Sequence, residues 1–367
     1  MSTLRSSRNG VTPNPIIPRK ADFNSELPSD IPILRSALTQ IIRSTFSTLK
    51  KTGRRLSPRR SPTVNPAMHN PRQANAGSCF AFRRRMAFYY NHPEKVAGEE
   101  FLHTDMSKKH QTTVQKQFTK TAEAFSRYAV RDTPDLVSEK VDFINPRPEN
   151  IMLDVACGPG ALVLAAAPRL HYACGIDLTG EMLRYARQFQ AEKHIQNVSF
   201  LRGEAEKIPF PDLTFDLVTC TYAFHHLQKP ELVLQEMVRV AKPDGRIFID
   251  DTLGPESDEK FELHNEIEII RDPSHTLSLR LTTFLSMFDD LNLEIVSQSL
   301  KRRRRSFNQW MLRAGLTPKD KRYQETRRLL ESTIPGDRAG FSPQADGDDL
   351  QIVHSEGIFL LSRRDGD

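Results

Sequence analysis

One part of the chain has residue types that could bind a nucleotide-like ligand: the acidic, glycine-rich stretch from Asp154 to Gly160. The residues from Ile151 to Val155 are typical of a buried strand, and the apolar run that follows Gly160 favours a helix. Gly158 and Gly160 let the backbone approach a ligand closely where a Cβ would clash. The N-terminus of the helix favours a negative group. A strand, a glycine turn and a helix together indicate the crevice of an open α/β sheet.

The glycine spacing indicates which nucleotide-like ligand to expect. A dinucleotide site would place a third glycine three residues after Gly160, where this chain has Val163, so the spacing argues against NAD. The stretch resembles instead the first motif of the class I S-adenosylmethionine (SAM) methyltransferases, which has an acid, a small residue and Gly-x-Gly. The resemblance implies that Asp154, Ala156, Gly158 and Gly160 contact SAM. An ordinary strand-to-helix turn is the alternative for this motif alone.

A second acid follows at the spacing that an adenosine requires. Asp177 ends the next predicted strand, 23 residues after Asp154. An acid at this place can accept hydrogen bonds from both ribose hydroxyls. Because SAM and NAD share the ribose, Asp177 is expected to bind the cofactor but does not separate the two.

Two later stretches carry a resemblance to a narrower family. Residues 201–227 contain a Gly-Glu-Ala-Glu run, a Pro-Phe-Pro turn and a strand that ends in two histidines, and residues 238–251 contain a Lys-Pro-x-Gly turn before a strand. Both stretches resemble the type 11 methyltransferases, which include ubiquinone- and menaquinone-biosynthesis enzymes. The family pattern is not kept at Glu204, Ala241 and Asp244. These departures weaken the assignment to a substrate subgroup but not the assignment of the cofactor.

The same resemblance implies further cofactor contacts, at the ends of the strands and on the N-terminal helix. The helix is predicted over residues 114–128, and in the family such a helix covers the cofactor. For Tyr128, near its end, a packing role is the alternative. The further contacts are Tyr128, Leu178, Met182, Glu204, Ala205, Glu206 and Thr221.

Two histidines are candidates for contact with the methyl acceptor. His226 follows the fourth strand, whose carboxyl end lies beside the transferred methyl in this architecture, and His275 lies in an Asp-Pro-Ser-His turn. A histidine titrates near neutrality, so either could take or share a proton. Methyl transfer needs mainly alignment, so no metal site is expected. The alternative is that both histidines are structural.

The order of predicted elements specifies the fold class. Strands and helices alternate from residue 151 to residue 251, which predicts a Rossmann-like, doubly wound α/β fold with a mostly parallel sheet. Leu293 to Ser299 and Leu350 to Ser362 complete seven strands, and the last is expected to be antiparallel as in the family. The basic run from Lys301 to Arg305 is interpreted as a solvated strand end, and a nucleic-acid patch is the alternative.

The charge distribution separates a basic leader from the rest of the chain. The first 95 residues contain 17 Lys and Arg against four acids, whereas the remainder contains 35 against 42. A basic field that could grip nucleic acid is therefore absent from the predicted enzyme core. We expect residues 1–105 to be a disordered N-terminal extension and residues 106–367 to be the methyltransferase domain. The leader is interpreted as a transit peptide, an inert tail, or the product of a start upstream of the natural one at Met106. A tether to nucleic acid or to a membrane is the remaining alternative.

The resemblance implies a SAM-dependent methyltransferase that acts on a small, apolar or aromatic metabolite and has no nucleic-acid partner. Two alternatives are an RNA-modifying methyltransferase and a SAM-binding regulatory protein without catalysis. The sequence has no apolar run of about 18 residues, so no transmembrane helix is predicted. Four cysteines without Cys-x-x-Cys spacing favour a reduced, cytoplasmic protein, or an organellar one if the leader is a transit peptide. The oligomeric state is not predicted.

Overall fold

The computed structural model describes residues 104–364, so the predicted disordered extension lies outside the described residues except for its last two positions. The helices are α1 (Thr104–Arg127), α2 (Pro134–Ile144), α3 (Ala161–Ala166), α4 (Gly180–Glu192), α5 (Pro230–Val240), α6 (Asp258–Arg271), α7 (Leu281–Asp290), α8 (Phe307–Arg313) and α9 (Lys321–Ser332). A π-helical turn, Tyr128–Asp132, follows α1. The strands are β1 (Ile151–Val155), β2 (Tyr172–Asp177), β3 (Val198–Arg202), β4 (Phe215–Thr221), β5 (Ala241–Leu253), β6 (Leu293–Ser306), β7 (Gln344–Asp346) and β8 (Asp349–Arg363).

The strands form one sheet in the order β3-β2-β1-β4-β5-β8-β6, with β7 paired to β8. Strands β1 to β5 run parallel, and β8 runs antiparallel to both β5 and β6. The predicted Rossmann-like, mostly parallel sheet with an antiparallel last strand is thus confirmed. The sheet has one strand more than predicted, because the short β7 forms a hairpin with β8. All three residues of β7 are exposed, so no apolar alternation announces this strand.

Helices cover the central sheet on both faces, and the central strands are accordingly buried. Successive side chains of a strand point to opposite faces, so Met152 and Phe248 belong to one apolar core cluster, and Leu153 and Ile249 to another. Strands β1 and β2 pair in register, with Asp154 opposite Gly175. This register brings the carboxyl ends of the parallel strands to one edge, where polar side chains can meet.

A third apolar cluster builds the side of the molecule beyond β5. Helices α6, α8 and α9 pack together with β8 around side chains such as Ile267, Trp310, Leu330 and Phe341. The resemblance to the type 11 methyltransferases implies that the stretch after β5, residues 253–291, carries the substrate side. The structure adds α8 and α9, which connect β6 to β7.

The first described helix, α1, bridges the two sides of the sheet. The Gln117 side chain donates to the carbonyl of Ala314 beyond α8 at 3.2 Å, and the Ser126 hydroxyl contacts the Met182 sulfur on α4 at 3.9 Å. Helix α1 begins ten residues earlier than the predicted start at Val114. It therefore covers more of the strand ends than the sequence pattern indicated.

The basic run from Lys301 to Arg305 lies inside strand β6, which continues to Ser306. Arg302 and Arg304 are exposed, as expected for a solvated segment. Arg303 and Arg305 instead point to the other face and bond the buried carboxylate of Glu356. The interpretation as a solvated strand end is therefore correct only for alternate residues.

The structure describes three of the four cysteines, and Cys79 lies outside the described residues. Cys157, Cys174 and Cys220 are buried and form no disulfide. Within residues 104–364, none of the helices combines the length and apolarity needed to cross a membrane.

Candidate functional site

A cavity of about 300 Å³ lies at the carboxyl ends of the strands, beside α1. Its volume is within the range of small-molecule sites. The cavity brings together most of the sequence-predicted site residues, which come from the π-helical turn after α1, from α4, and from the ends of β1 to β4 with the turns that follow them. Those lining it are Tyr128, Asp154, Ala156, Gly158, Asp177, Leu178, Met182, Glu204, Ala205, Glu206, Thr221 and His226. Gly160 and His275 are not among the residues that line it.

Gly160 serves the packing of the turn. It has a φ of +77°, and a Cβ placed on it would lie 2.7 Å from the ring of Phe200 on β3. Gly158 has a φ of +52°, and a Cβ there would come no closer than 3.8 Å to Phe125. Gly158 is therefore the glycine that borders the cavity, and Gly160 lets the helix pack against the sheet.

Two backbone donors fix the carboxylate of Asp177 at the edge of the cavity. Its Oδ2 accepts from the N–H of Gly158 at 2.8 Å, and its Oδ1 accepts from the N–H of Thr179 at 2.7 Å. Burial raises the pKa of Asp177, and these two hydrogen bonds oppose the rise. Each carboxylate oxygen keeps a second lone pair, so the side chain can still accept hydroxyl groups from a ligand.

Asp154 is buried deeper and titrates in an unusual range. Its Oδ1 accepts from the Thr219 hydroxyl at 2.6 Å. Burial raises the pKa of Asp154 to about 7, against the lowering effects of Thr219 and Lys140. A positively charged ligand beside this carboxyl group would favour its ionised form.

The loop after β3 completes the acidic side of the cavity. Glu204 is exposed and accepts from the side chain of Gln111 on α1 at 3.5 Å. Glu206 is partly buried, and burial raises its pKa. The side chain of Gln115, also on α1, donates to the carbonyl of Leu178 at 3.4 Å. Helix α1 is thus tied by hydrogen bonds to the predicted cofactor residues.

His226 borders the cavity as a neutral ring. Its Nδ1 lies 2.9 Å from the carbonyl oxygen of Ser274, and because a carbonyl only accepts, Nδ1 carries the hydrogen. Burial and the neighbouring His225 lower the pKa of His226 to about 4. The ring of Phe118 on α1 meets it edge-on at 5.0 Å between centroids. The unprotonated Nε2 makes no hydrogen bond to the described residues and is available as an acceptor.

His275 lies behind the wall of the cavity, in contrast to the prediction that it faces the substrate. It is only 5% exposed, and its Nε2 donates to the amide oxygen of Asn265 at 3.0 Å. The same amide oxygen accepts from the N–H of Ser278 at 2.8 Å. Burial lowers the pKa of His275 to about 3, so the ring stays neutral. Its contacts are those of a residue that holds the turn after α6.

A second histidine lines the cavity and was not predicted. His225 Nδ1 lies 2.5 Å from Asp251 Oδ1. Burial would lower the pKa of His225, but the charge and hydrogen bond of Asp251 raise it above its ordinary value. Sequence reasoning could have found this pair, because His225 follows β4 and Asp251 lies on the neighbouring β5.

The far side of the cavity is basic and aromatic. Lys140 pairs with Asp250 at 2.6 Å and lies 4.0 Å from the centroid of the Tyr222 ring. Sequence reasoning did not single out the basic residues here, because no motif connects them. The basic residues that line the cavity are Lys140, Arg271, Arg305 and Arg313.

Comparisons with known proteins agree with this architecture. The Methyltransferase domain family matches residues 153–249. The methyltransferase YcgJ of Bacillus subtilis is 33% identical over 212 residues, which are 58% of this chain and 83% of that protein. The crystal structure of YcgJ covers 63% of this chain and 98% of its own, with a TM-score of 0.57 and 28% identity. The structure of BH2331 from Bacillus halodurans covers 61% of this chain and 97% of its own, with a TM-score of 0.58 and 26% identity.

A shorter match gives a relative with a named reaction. The ubiquinone/menaquinone biosynthesis C-methyltransferase of Burkholderia multivorans is 40% identical over 108 residues, which are 29% of this chain and 44% of that protein. The fold and the family match define a class I methyltransferase. The chain belongs to the type 11 family of SAM-dependent methyltransferases.

Proposed function

We propose that this protein transfers a methyl group from SAM to a small metabolite with an apolar or aromatic body, through a domain over residues 106–367. The observation that carries the proposal is Asp177, held at the cavity by the N–H groups of Gly158 and Thr179. A carboxylate fixed in this way is suited to the ribose hydroxyls of an adenosine. Among the residues that the structure describes, those that line the cavity lie between His110 and His354.

The charges of the cavity suit SAM as well. SAM carries a sulfonium and an ammonium group, and the side of the cavity formed by the ends of β1, β2 and the loop after β3 contains Asp154, Asp177 and Glu206. Opposite charges at close range favour binding. Gly158 adds room, because it has no Cβ at the cavity edge. The residues present therefore fit the cofactor.

The chain's own residues would mainly align the acceptor and exclude water. When bound, SAM supplies a methyl group that is already activated by the sulfonium. Val114, Phe118 and Phe125 of α1 line the cavity and can cover an apolar acceptor. Alignment of this kind can supply about 7–11 kcal/mol of a barrier. His226 could accept a proton through Nε2 if the acceptor must lose one.

Replacing Asp177 with alanine should weaken SAM binding by about 2–3 kcal/mol, or roughly 30- to 150-fold, because charged hydrogen bonds contribute about that much. Isothermal calorimetry would measure the dissociation constant. Glu192→Ala is the matched control, since Glu192 is an exposed acid of α4 whose carboxylate bonds Arg131 and Gln188. Unchanged SAM affinity in a folded Asp177 variant would refute the ribose assignment.

SAM affinity should also fall as the pH drops below about 7, the raised pKa of Asp154. The ionised carboxylate attracts the cationic cofactor, so affinity should reach a plateau above that pH. Below it, affinity should fall by at most about tenfold per pH unit for a single proton. Asp154→Asn should remove this dependence. A wild-type affinity that stays constant from pH 6 to pH 8 would contradict the prediction.

Turnover tests the proposal as a whole. The purified protein would be given labelled SAM and fractionated metabolites, and S-adenosylhomocysteine formation would be measured. We expect label to be transferred to a small molecule. Label transferred to RNA would support an RNA-modifying enzyme instead, and SAM binding without any turnover would support a regulatory protein.

A further inference from the structure

The basic residues that line the cavity differ in one respect, which is whether a carboxylate compensates them. Lys140 pairs with Asp250 at 2.6 Å, and Arg271 pairs with Glu268 at 3.2 Å. Arg313 makes no ion pair with any side chain described between residues 108 and 364. It is therefore the cavity cation whose charge the described structure leaves uncompensated.

Arg313 is held in place by an aromatic ring. Its guanidinium carbon lies 3.7 Å from the centroid of the Tyr128 ring, a distance typical of a cation–π contact. Its Nε is buried and has no hydrogen-bond partner within the described residues. Burial lowers the pKa of Arg313 to about 10, so the side chain remains protonated at neutral pH.

Arg305 extends the same basic side of the cavity. It shares the carboxylate of Glu356 with Arg303, and Arg303 also contacts the exposed Glu139 at 3.4 Å. The Nε of Arg305 is also buried without a partner among the described residues. Two arginines that line one cavity thus each present a buried N–H for which the described chain offers no acceptor.

Such groups indicate a ligand of opposite charge. A buried N–H without an acceptor costs free energy, and an uncompensated buried charge costs more. Carboxylates and phosphates match the guanidinium fork, because two of their oxygens can accept two parallel hydrogen bonds. A ligand oxyanion would satisfy both the charge and the orphaned donors.

The sheet order separates this basic group from the acidic side of the cavity. Asp154, Asp177 and Glu206 lie at the ends of β1 and β2 and after β3, on one half of the sheet, whereas Arg305 lies on β6 at the opposite edge. Glu268 and Asp272 also line the cavity, and Glu268 is paired with Arg271. Arg313 lies on α8, directly after β6. This separation favours the methyl acceptor over the cofactor as the ligand that contacts the basic group.

We propose that the methyl acceptor carries an oxyanion, a carboxylate or a phosphate, that is bound by Arg313 together with Arg305. The proposal rests on the proposed function and adds an anionic end to its apolar or aromatic acceptor. Tyr128 is then a positioning residue, because it orients the guanidinium of Arg313. The aromatic side chains of Tyr222 and Trp310 also line the cavity and can pack against the body of the same molecule.

Binding of three simple probes to the full chain tests the proposal: benzoate, phenyl phosphate and benzyl alcohol. Each would be titrated by calorimetry or ligand-observed NMR, with S-adenosylhomocysteine present and absent. We expect at least one anion to bind at millimolar concentration and the neutral alcohol to bind at least tenfold more weakly. Whichever of benzoate and phenyl phosphate binds more tightly indicates whether the acceptor's oxyanion is a carboxylate or a phosphate. If neither anion binds better than benzyl alcohol, the proposal is wrong.

Substitution of Arg313 locates the binding. Arg313→Gln should lower the affinity for the anion by about 10- to 100-fold, which is the loss expected when a charged hydrogen bond is removed. Arg302→Gln is the matched control, because Arg302 is an exposed arginine of β6 that bonds Ser342. Equal anion affinity in Arg313→Gln and wild type would overturn the proposal. If Arg313→Gln does not fold, Arg313→Lys decides, since the lysine lacks the fork and should also bind more weakly; unchanged affinity in it would overturn the proposal.

The binding of S-adenosylhomocysteine to each variant separates this proposal from the proposed function. We expect Arg313→Gln to keep wild-type affinity for S-adenosylhomocysteine. If that affinity falls while anion affinity is unchanged, Arg313 binds the cofactor's carboxylate and the acceptor proposal fails. If the wild-type protein binds the anion but no SAM or S-adenosylhomocysteine, the proposed function fails and the anion site stands.

Discussion

Glu356→Gln should destabilise the protein by about 3–5 kcal/mol, the cost of removing one partner from a buried ion pair. Glu356 lies on β8 with a side chain that is 0% exposed, and it bonds both Arg303 and Arg305. It also accepts from the Tyr222 hydroxyl at 3.0 Å. Glutamine keeps the shape but removes the carboxylate that Arg305 bonds, and it leaves Arg303 with only the exposed Glu139. Urea unfolding would measure the change in the free energy of unfolding.

Glu139→Gln is the control for this experiment. Glu139 also contacts Arg303, at 3.4 Å, and Lys301, at 3.0 Å, but its side chain is 52% exposed. Exposed ion pairs contribute about 0–1 kcal/mol, so this variant should unfold almost like wild type. If both variants lose a similar, small free energy of unfolding, burial does not make the ion pairs of Glu356 stronger than those of Glu139, and the prediction is wrong.

Much of the fold could be predicted because its signals are local. Strands β1, β2 and β4 are short apolar runs bounded by turn residues, and each is followed by a helical pattern. Alternation of this kind leaves few topologies open. The hairpin strand β7 escaped prediction because pairing with β8, and not its exposed side chains, defines it.

The basic run on β6 shows where local reasoning ends. Five consecutive cationic residues resemble a solvated surface, and Arg302 and Arg304 are indeed exposed. A strand, however, turns every second side chain to the other face. Arg303 and Arg305 therefore meet Glu356, whose position 51 to 53 residues later in the chain no local pattern reveals.

The two sides of the candidate site differ in the same way. Most of the predicted cofactor residues follow strand ends in a recognisable motif, so sequence reasoning could expect them at one edge of the sheet. The basic side is assembled from α2, α6, β6 and α8, and only tertiary packing brings these elements together. His275 was misplaced because a turn sequence does not tell whether a side chain points into a cavity or, as here, toward Asn265.

The acceptor chemistry makes its sharpest prediction at His226. His226→Gln should lower kcat by about 10²–10³-fold if the acceptor must lose a proton, within the range typical of acid–base catalysis. The pKa of about 4 makes His226 a weak base, so we expect the lower part of that range. The same pKa predicts the sign of the pH dependence. The neutral, proton-accepting ring predominates above that pH, so this residue should not limit the rate from pH 6 to pH 8.

His275→Gln is the matched control, because His275 is also a histidine near the site with a lowered pKa but lies outside the cavity lining. It should keep kcat within a few-fold of wild type, even if the free energy of unfolding falls through loss of the bond to Asn265. SAM affinity, measured separately, should be unchanged in both variants. If His226→Gln turns over as fast as His275→Gln, His226 is a wall of the cavity and alignment alone accounts for the rate. If the SAM affinity and the stability of His226→Gln fall together with kcat, His226 acts through the Nδ1 bond to Ser274. Proton transfer at Nε2 is then not its role.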